Sequence, residues 1–316
     1  MTARLDRDTN GTRPDPRVTV IVVTFNARAY VERCLASLRG QEAHELIVVD
    51  NGSSDGTREM LERRFGERLL KLDNPGFGAA NNAAARRARG RYLLLLNSDC
   101  ELGPDAIRAL ADHLDESPST WLVAPRLHCA DGAAQRSVGR TPTLTTELLN
   151  KSMLHRCLPV FTYGRWGFTG EREVDWATGA CAMVRACAFR AVGGFDEGFF
   201  MFMEDLDLCA RLRAAGGRLW FTDTVRALHH GGASSREVPV KARMLVEGER
   251  ASRRYFRKHH GERATIAIRV MTVLATALRC LVWLPGLALP RYRPSAVARL
   301  LAYPRVAWDA ATPDRM

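Results

Sequence analysis

A chain of 316 residues can bury one large core with an appendage, because single hydrophobic cores stop growing at roughly 250–300 residues. With 46% hydrophobic and 26% charged residues the composition is that of an ordinary globular protein, which excludes a wholly disordered or fibrous chain. The formal net charge is +11, and +10 of it falls between Arg236 and Met316, so the chain is not uniformly basic; a basic end beside apolar segments fits an anionic lipid surface better than nucleic acid.

Met1 to Pro16 mixes acids with arginines and lacks the apolar run of a signal peptide, so residues 1–16 are expected to form a disordered tail. Val18-Thr-Val-Ile-Val-Val-Thr24 is a continuous run rich in β-branched residues, as in a strand covered on both faces, and it ends in Phe25-Asn26. The period then switches, with Tyr30, Val31, Cys34, Leu35 and Leu38 sharing one helical face. Glu45–Asp50 repeats the strand, Asn51-Gly-Ser-Ser-Asp-Gly56 is a tight polar turn, and residues 57–65 predict a second helix. This βαβα opening predicts a parallel sheet. Leu69–Leu72 reads as a short strand, Asn74-Pro-Gly-Phe-Gly78 as a loop, Ala79–Arg89 as a helix of small residues, and Tyr92–Leu96 as a buried strand running into Asn97-Ser-Asp99. Ligands of open α/β sheets sit beyond the carboxyl ends of the strands, so Thr24, Asp50, Asn74 and Asp99 are expected to converge on one crevice.

Pro104 suits the first turn of a helix over residues 105–115, whereas residues 121–173 show little pattern. Regularity returns over Val174–Val184, followed by a short helix, Gly193-Gly-Phe-Asp196, a helix over Glu204–Ala215, and a strand-to-loop end over Val225–Ser235 that carries His229 and His230. Residues 263–289 combine a long apolar stretch with Arg269 and Arg279. A spanning helix would carry those charges at about 2.5–3.5 kcal/mol each near the bilayer centre, so a helix lying in the interface is favoured, with a span and a buried soluble helix as the alternatives. The eight cysteines show no C-x-x-C pair and no metal-ligand spacing, as in a cytoplasmic protein with reduced thiols. The domain reading is a tail over 1–16, a main domain over 17–260 and a basic, apolar extension over 261–316.

Two segments carry chemistry on their own terms. Asn74–Asn81 joins glycines that admit close backbone approach to amides that bond hydroxyls, at a helix N-terminus that favours anions. Glu204 and Asp205 begin a helix amid Phe199, Phe200, Phe202 and Met203, an expensive place for carboxylates that do no work; the plainer reading is an acidic N-terminus that suits the helix dipole.

Val20-Ile-Val-Val-Thr-Phe-Asn26, Val48-Val-Asp-Asn-Gly-Ser-Ser-Asp-Gly56, Asn74-Pro-Gly-Phe-Gly-Ala-Ala-Asn81, Leu96-Asn-Ser-Asp99 and Phe200-Met-Phe-Met-Glu-Asp-Leu-Asp-Leu208 resemble, in that order, the motifs of family 2 glycosyltransferases of the GT-A fold, and within them the rhamnosyltransferase-like members. The resemblance implies an α/β, Rossmann-like, mostly parallel central sheet with flanking helices, here followed by a C-terminal helical, membrane-associating extension. It implies that Thr24, Phe25, Asn26, Asp50 and Asn51 hold the nucleotide and that Gly76, Asn81, Asn97 and Ser98 complete the nucleotide-sugar site. Asn97-Ser-Asp99 takes the place of the family's Asp-x-Asp metal motif with its first acid replaced, which leaves Asp99 as the direct ligand of Mg²⁺ or Mn²⁺. His229, shortly before glycines, fits the second metal ligand, and His230 can substitute for it. Asp205 becomes the general base of an inverting transfer; Glu204 positions the acceptor, beside Trp176, Thr178 and Gly179. Trp176 reads equally as a core residue, Asp55 as a turn carboxylate, Glu101 as a surface acid, and Asp207 as a helix support or partner of Arg211.

The activity implied is metal-dependent transfer of a sugar, with rhamnose from dTDP-rhamnose favoured, from a nucleotide diphosphate donor to a polyprenyl-linked or glycan acceptor in cell-envelope polysaccharide synthesis. Its expected place is cytoplasmic, peripheral on the inner face of the membrane, with no nucleic-acid partner. The alternative, motivated by Asn97, is a catalytically inactive GT-A scaffold or binding protein of polysaccharide assembly.

Overall fold

The computed structural model describes residues 16–42, 44–153, 170–231, 238–289 and 291–312. The expected tail, apart from residue 16, lies outside the described residues, as do Cys157 and the 232–235 end of the histidine segment.

In chain order the elements are β1 (Val18–Thr24), α1 (Arg28–Ser37), β2 (Glu45–Asp50), α2 (Thr57–Phe65), β3 (Leu70–Lys71), α3 (Phe77–Ala85), β4 (Tyr92–Asn97), β5 (Cys100–Leu102) and α4 (Ala106–Glu116). They continue with β6 (Thr120–His128), β7 (Val138–Gly139), α5 (Leu144–Lys151), β8 (Arg172–Glu173), β9 (Trp176–Ala177), β10 (Cys181–Arg185) and α6 (Ala186–Ala191). The last are α7 (Glu204–Ala214), β11 (Arg218–His229), α8 (Val238–Trp283) and α9 (Arg293–Ala311).

The main sheet runs β3-β2-β1-β4-β10-β6-β11-β5, with β8 added along β11. β1 to β4 are parallel, β10 runs against both β4 and β6, and β11 runs with β6. The carboxyl ends of β1, β2, β4, β6 and β11 therefore share one edge with the start of β10. The β-branched run of β1 is buried along its whole length, as both faces are covered: Ile21 and Val23 point into one core with α3, α7 and α8, while Val20 and Val22 point into another with α1, α2 and α4. Each such side chain contributes roughly 1.5–3 kcal/mol by leaving water.

The weakly patterned stretch after residue 121 proves to contain β6, a nine-residue strand in the middle of the sheet. Pro125 lacks a ladder donor and breaks the apolar run; β11 accommodates it with a register shift between Thr222 and Arg226.

Beyond β11 the chain builds three antiparallel helical segments. Gly261 (φ 80°) turns α8 back on itself, so that Thr272 donates to Glu249 at 3.1 Å although 23 residues separate them in sequence. Arg250 and Arg253 hold Asp309 of α9. Arg269 donates to the carbonyls of Ala310 and Thr312, and Arg279 to that of Asn150, so the two arginines of the apolar stretch face the protein. Ile266, Val270, Leu274, Leu278 and Leu281 recur on the opposite face and are exposed. By length and composition the helix over Arg243–Leu287 could cross a membrane, but only 28% of its most apolar 18-residue window is buried within the protein.

Candidate active site

The shared sheet edge gathers most of the residues singled out in the sequence. Thr24 and Asp50 are register partners, and Val23 pairs with Asn97. The Asp50 carboxylate is wholly buried; one oxygen accepts from Arg58 Nε at 2.6 Å and from the Gly52 and Ser53 amides at 3.3 Å, while its Oδ1 has no partner. Thr24 Oγ1, Asn51 Oδ1 and Asn97 Oδ1 are likewise buried and unpartnered. Stranded polar atoms of this kind cost about 1–3 kcal/mol each unless a ligand meets them, and four of them line the ends of three adjacent strands.

The other residues expected at the nucleotide shape the walls. Asn26 (φ 47°) follows the half-buried Phe25, takes the Ser54 amide on its Oδ1 at 2.8 Å and gives its own amide to Ser53 Oγ at 3.0 Å, which fixes the loop after Asp50. Asp55 accepts from the Arg28 amide and from Thr57, the turn role. A Cβ on Gly76 would lie 2.5 Å from the Phe200 carbonyl oxygen, and the Phe77 amide donates to that oxygen at 3.0 Å, so the glycine lets the loop seat on the segment before α7. Asn81 is buried in α3 and donates to the Phe77 carbonyl; Asn82 is spent on Phe195 and Glu197. Ser98 is buried beside Asn97.

Asp99 Oδ1 lies 3.4 Å from His229 Nε2, since the antiparallel pairing of β5 with β11 sets Cys100 against His229. Gln135 orients the ring. Its amide nitrogen donates to the His229 carbonyl at 2.6 Å, which turns its oxygen to His229 Nδ1 at 2.7 Å, so Nδ1 donates to that oxygen and Nε2 faces Asp99. His230 instead gives Nε2 to Glu101 at 2.7 Å. Cys100 falls within 4.8 Å of both other groups, but burial holds its thiol well above the ordinary range, and Sγ donates to the Ala180 carbonyl. One carboxylate oxygen and one imidazole nitrogen facing each other suit Mg²⁺ or Mn²⁺ supplemented by diphosphate and water oxygens.

On the other side of the β10 start, the Gly179 amide donates to Asp205 Oδ2 at 3.3 Å, while the Ala180 carbonyl receives both the Asn97 amide and the Cys100 thiol. One residue step along the chain thus joins the base candidate to the Asp99 strand end. Phe202 and Met203 both adopt positive φ, 70° and 63°, a costly turn that aims the first residues of α7 at this edge. Glu204 is buried with Oε2 unpartnered; burial first, then the Asp205 charge, push it well above the usual carboxylate range. Burial also raises Asp205, but bonds from the Leu206 and Gly179 amides and from Thr178 oppose it, and Asp205 is only half-buried. Both carboxyls of the pair are thus held above their ordinary range, Glu204 with an unpartnered oxygen and Asp205 with amide and hydroxyl bonds that oppose the rise.

Trp176 is packed in the core with its indole N–H buried and unpartnered, nearer the core reading than an exposed stacking platform. Ser137 and Gln135, both in the unpatterned stretch, escaped the sequence reading; Ser137 accepts the Thr178 amide and keeps a buried, unpartnered hydroxyl. A cavity of about 390 Å³ behind α7, lined by Thr141, Arg213, Tyr255, His259 and His260, shares no residue with this edge.

The model of the family described as "Glycosyl transferase family 2" matches residues 19–190. The chain belongs to that family. It is similar to the N-acetylglucosaminyl-diphospho-decaprenol L-rhamnosyltransferase of Mycobacterium tuberculosis, 31% identical over 70% of this chain and 78% of that protein, and to the rhamnosyltransferase WbbL of Escherichia coli K12, 27% identical over 71% and 88%. Among solved structures, the mannosyltransferase PcManGT of Pyrobaculum calidifontis in complex with GDP-Man and Mn²⁺ superposes with TM-score 0.51 at 18% identity, covering 94% of this chain and 88% of that one. GalNAc-T7 with UDP, GalNAc and Mn²⁺ gives 0.53 at 16%, covering 76% and 48%. The structural likeness establishes the GT-A fold expected from the sequence.

Proposed function

We propose that this family 2 glycosyltransferase is metal-dependent and inverting, and that it transfers rhamnose from dTDP-rhamnose to a polyprenyl diphosphate-linked sugar in cell-envelope polysaccharide synthesis. The observation that carries the reading is the set of four unpartnered oxygens, on Thr24, Asp50, Asn51 and Asn97, at the same sheet edge as Asp99, His229 and Asp205. Thr24, Asp50 and Asn51 hold the nucleoside, and Asn97 and Ser98 the ribose or sugar. Asp99 and His229 would hold the divalent cation, which when bound neutralises charge on the departing diphosphate. Asp205 takes the proton of the acceptor hydroxyl as its oxygen bonds to the anomeric carbon and the carbon–oxygen bond to the diphosphate breaks on the opposite face. Glu204, with its unpartnered oxygen, positions the acceptor beside Asp205. Rhamnose and the lipid-linked acceptor follow the names of the relatives.

The three-helix end supports a place on an anionic membrane surface. Its apolar face is exposed while its arginines turn inward, and Leu281, Val282, Leu284, Leu287 and Leu289 cluster at the turn into α9 beside Arg291 and Arg293. This arrangement favours docking in the interface over spanning.

Two measurements test the reading. Thermal shift with dTDP, UDP and GDP in Mg²⁺ should rank dTDP first, and Asp205→Asn should lower transfer about 10²–10⁴-fold while donor binding persists. An Asp205→Asn protein that turns over like the parent would overturn the base assignment.

A further inference from the structure

The aromatic segment that leads into the catalytic pair packs against α8. Arg254 stacks on Phe199, Arg243 lies 5.6 Å above the Phe200 ring, and a Cβ on Gly248 would stand 3.6 Å from the Phe202 ring. Phe200 is two-sided: its carbonyl seats the loop of Gly76 and Phe77, and its ring carries Arg243.

Arg243 differs from the other cations on this half of α8 whose side chains are described. Arg250 and Arg253 hold Asp309, Arg254 holds Asp196, and Lys258 holds Asp196 and Asp207. Arg243 is exposed, and among the described residues no carboxylate pairs with it. An arginine on an aromatic ring, with its guanidinium fork turned to solvent and uncompensated, is suited to bidentate capture of a phosphate.

Its height in the bundle gives the second observation. The helix folds back at Gly261, with Glu249 level with Thr272, so Arg243 stands level with about Leu278, one turn or so short of the apolar turn that begins at Leu281. Leu148 and Phe202, both exposed, belong to the same end, because α5 meets Arg279 through Asn150 and Phe202 meets Gly248. A lipid-linked sugar whose chain enters the membrane at this turn and whose hydroxyl reaches Asp205 must pass its anionic linker between the two.

We propose that Arg243 binds the diphosphate linker of the membrane-held acceptor, with the Phe200 ring as its support. This rests on the lipid-linked reading of the acceptor given above. Arg243 is a specificity residue for the acceptor and takes no part in donor binding.

The test compares the full-length parent with Arg243→Gln on two acceptors of the same sugar: N-acetylglucosamine joined through diphosphate to a short prenyl chain, and octyl N-acetylglucosaminide, which has no phosphate. Loss of a bidentate charged contact should raise KM for the diphosphate acceptor about tenfold or more and leave the neutral one within about twofold. Arg243→Lys should recover part of the loss. Equal changes on both acceptors, or none on either, would overturn the proposal. Farnesyl diphosphate separates it from the wider reading, because its binding by thermal shift needs no transfer. Weaker protection of Arg243→Gln than of the parent supports the site, and equal protection refutes it; a parent that binds this probe yet glycosylates no acceptor would sink the transferase reading alone.

Discussion

Asp207 offers the sharpest test of how the catalytic helix is held. It sits one turn into α7, wholly buried, and accepts from Arg211 Nε at 2.8 Å, from His259 Nε2 at 2.8 Å and from Lys258 Nζ at 2.8 Å. Burial alone would raise its pKa; the bonds from His259 and Lys258 and the charge of Arg211 overcome that and lower it from 3.8 to about 2. At about 1.4 kcal/mol per pH unit the depression is worth about 2 kcal/mol. Because the folded value lies below the unfolded one, this stability is complete above about pH 4 and is lost as the pH falls toward 2. Asp207→Asn keeps the volume but leaves three donors facing a neutral group. Its partners are partly solvated, at 20%, 33% and 21% side-chain exposure for Arg211, Lys258 and His259, so the cost should fall below the full penalty of a broken buried pair, at roughly 2–4 kcal/mol. For a domain of this size that lowers the melting temperature by roughly 5–15 °C. Urea unfolding of both proteins at neutral pH and near pH 3 measures it directly: the gap between parent and variant should be widest at neutral pH and narrow on acidification. A variant within about 0.5 kcal/mol of the parent at neutral pH, or a gap that widens in acid, would refute the account.

Three further outcomes follow from the site. Since burial holds Asp205 above the usual aspartate value, the acid limb of kcat should lie at higher pH than an ordinary aspartate would give, and Glu204→Gln should keep an acid limb while raising the acceptor KM; a pH–rate profile of both proteins checks this. Gln135→Ala frees the His229 ring and should weaken Mn²⁺ affinity about 10–100-fold, read by metal-dependent thermal shift with nucleotide present, whereas Glu101→Gln, which touches His230 instead, should not. Leu281→Glu with Leu287→Glu should cut co-sedimentation with phosphatidylserine vesicles at least tenfold, because each buried leucine contributes about 1.5–3 kcal/mol, and neutral-pH stability should be unchanged since both side chains are exposed.

What was legible in the sequence followed from backbone periodicity and turn chemistry. The run from Val18 to Thr24 announces a strand buried on both faces because β-branched residues suit neither water nor a helix, and the polar residues directly after each such run fall at the carboxyl edge by chain direction alone. β6 was missed for a local reason: Pro125 and Arg126 interrupt its apolar run, and only the irregular β11 opposite makes them acceptable. Gln135 could not be found that way, since its function depends on a contact 94 residues away and its own neighbourhood has no period.

The expected boundary at residues 260 and 261 shows the same limit in another form. Sequence placed a change of character there, apolar after and mixed before, and Gly261 does turn the chain at that point. Yet the segments on its two sides pack on one another through Glu249, Thr272 and Arg279, and Lys151 of α5 joins them. The first segment also braces the catalytic helix at Asp207 through Lys258 and His259, and packs Arg254 on Phe199 ahead of it. Among the described residues the C-terminal helices are thus joined by hydrogen bonds and ion pairs to one another and to the helix that begins at Glu204 and Asp205. On the proposed docking of the apolar turn, substitutions at the exposed Leu281 and Leu287 should alter transfer to a membrane-held acceptor far more than transfer to a soluble one, which paired assays of the two acceptors check.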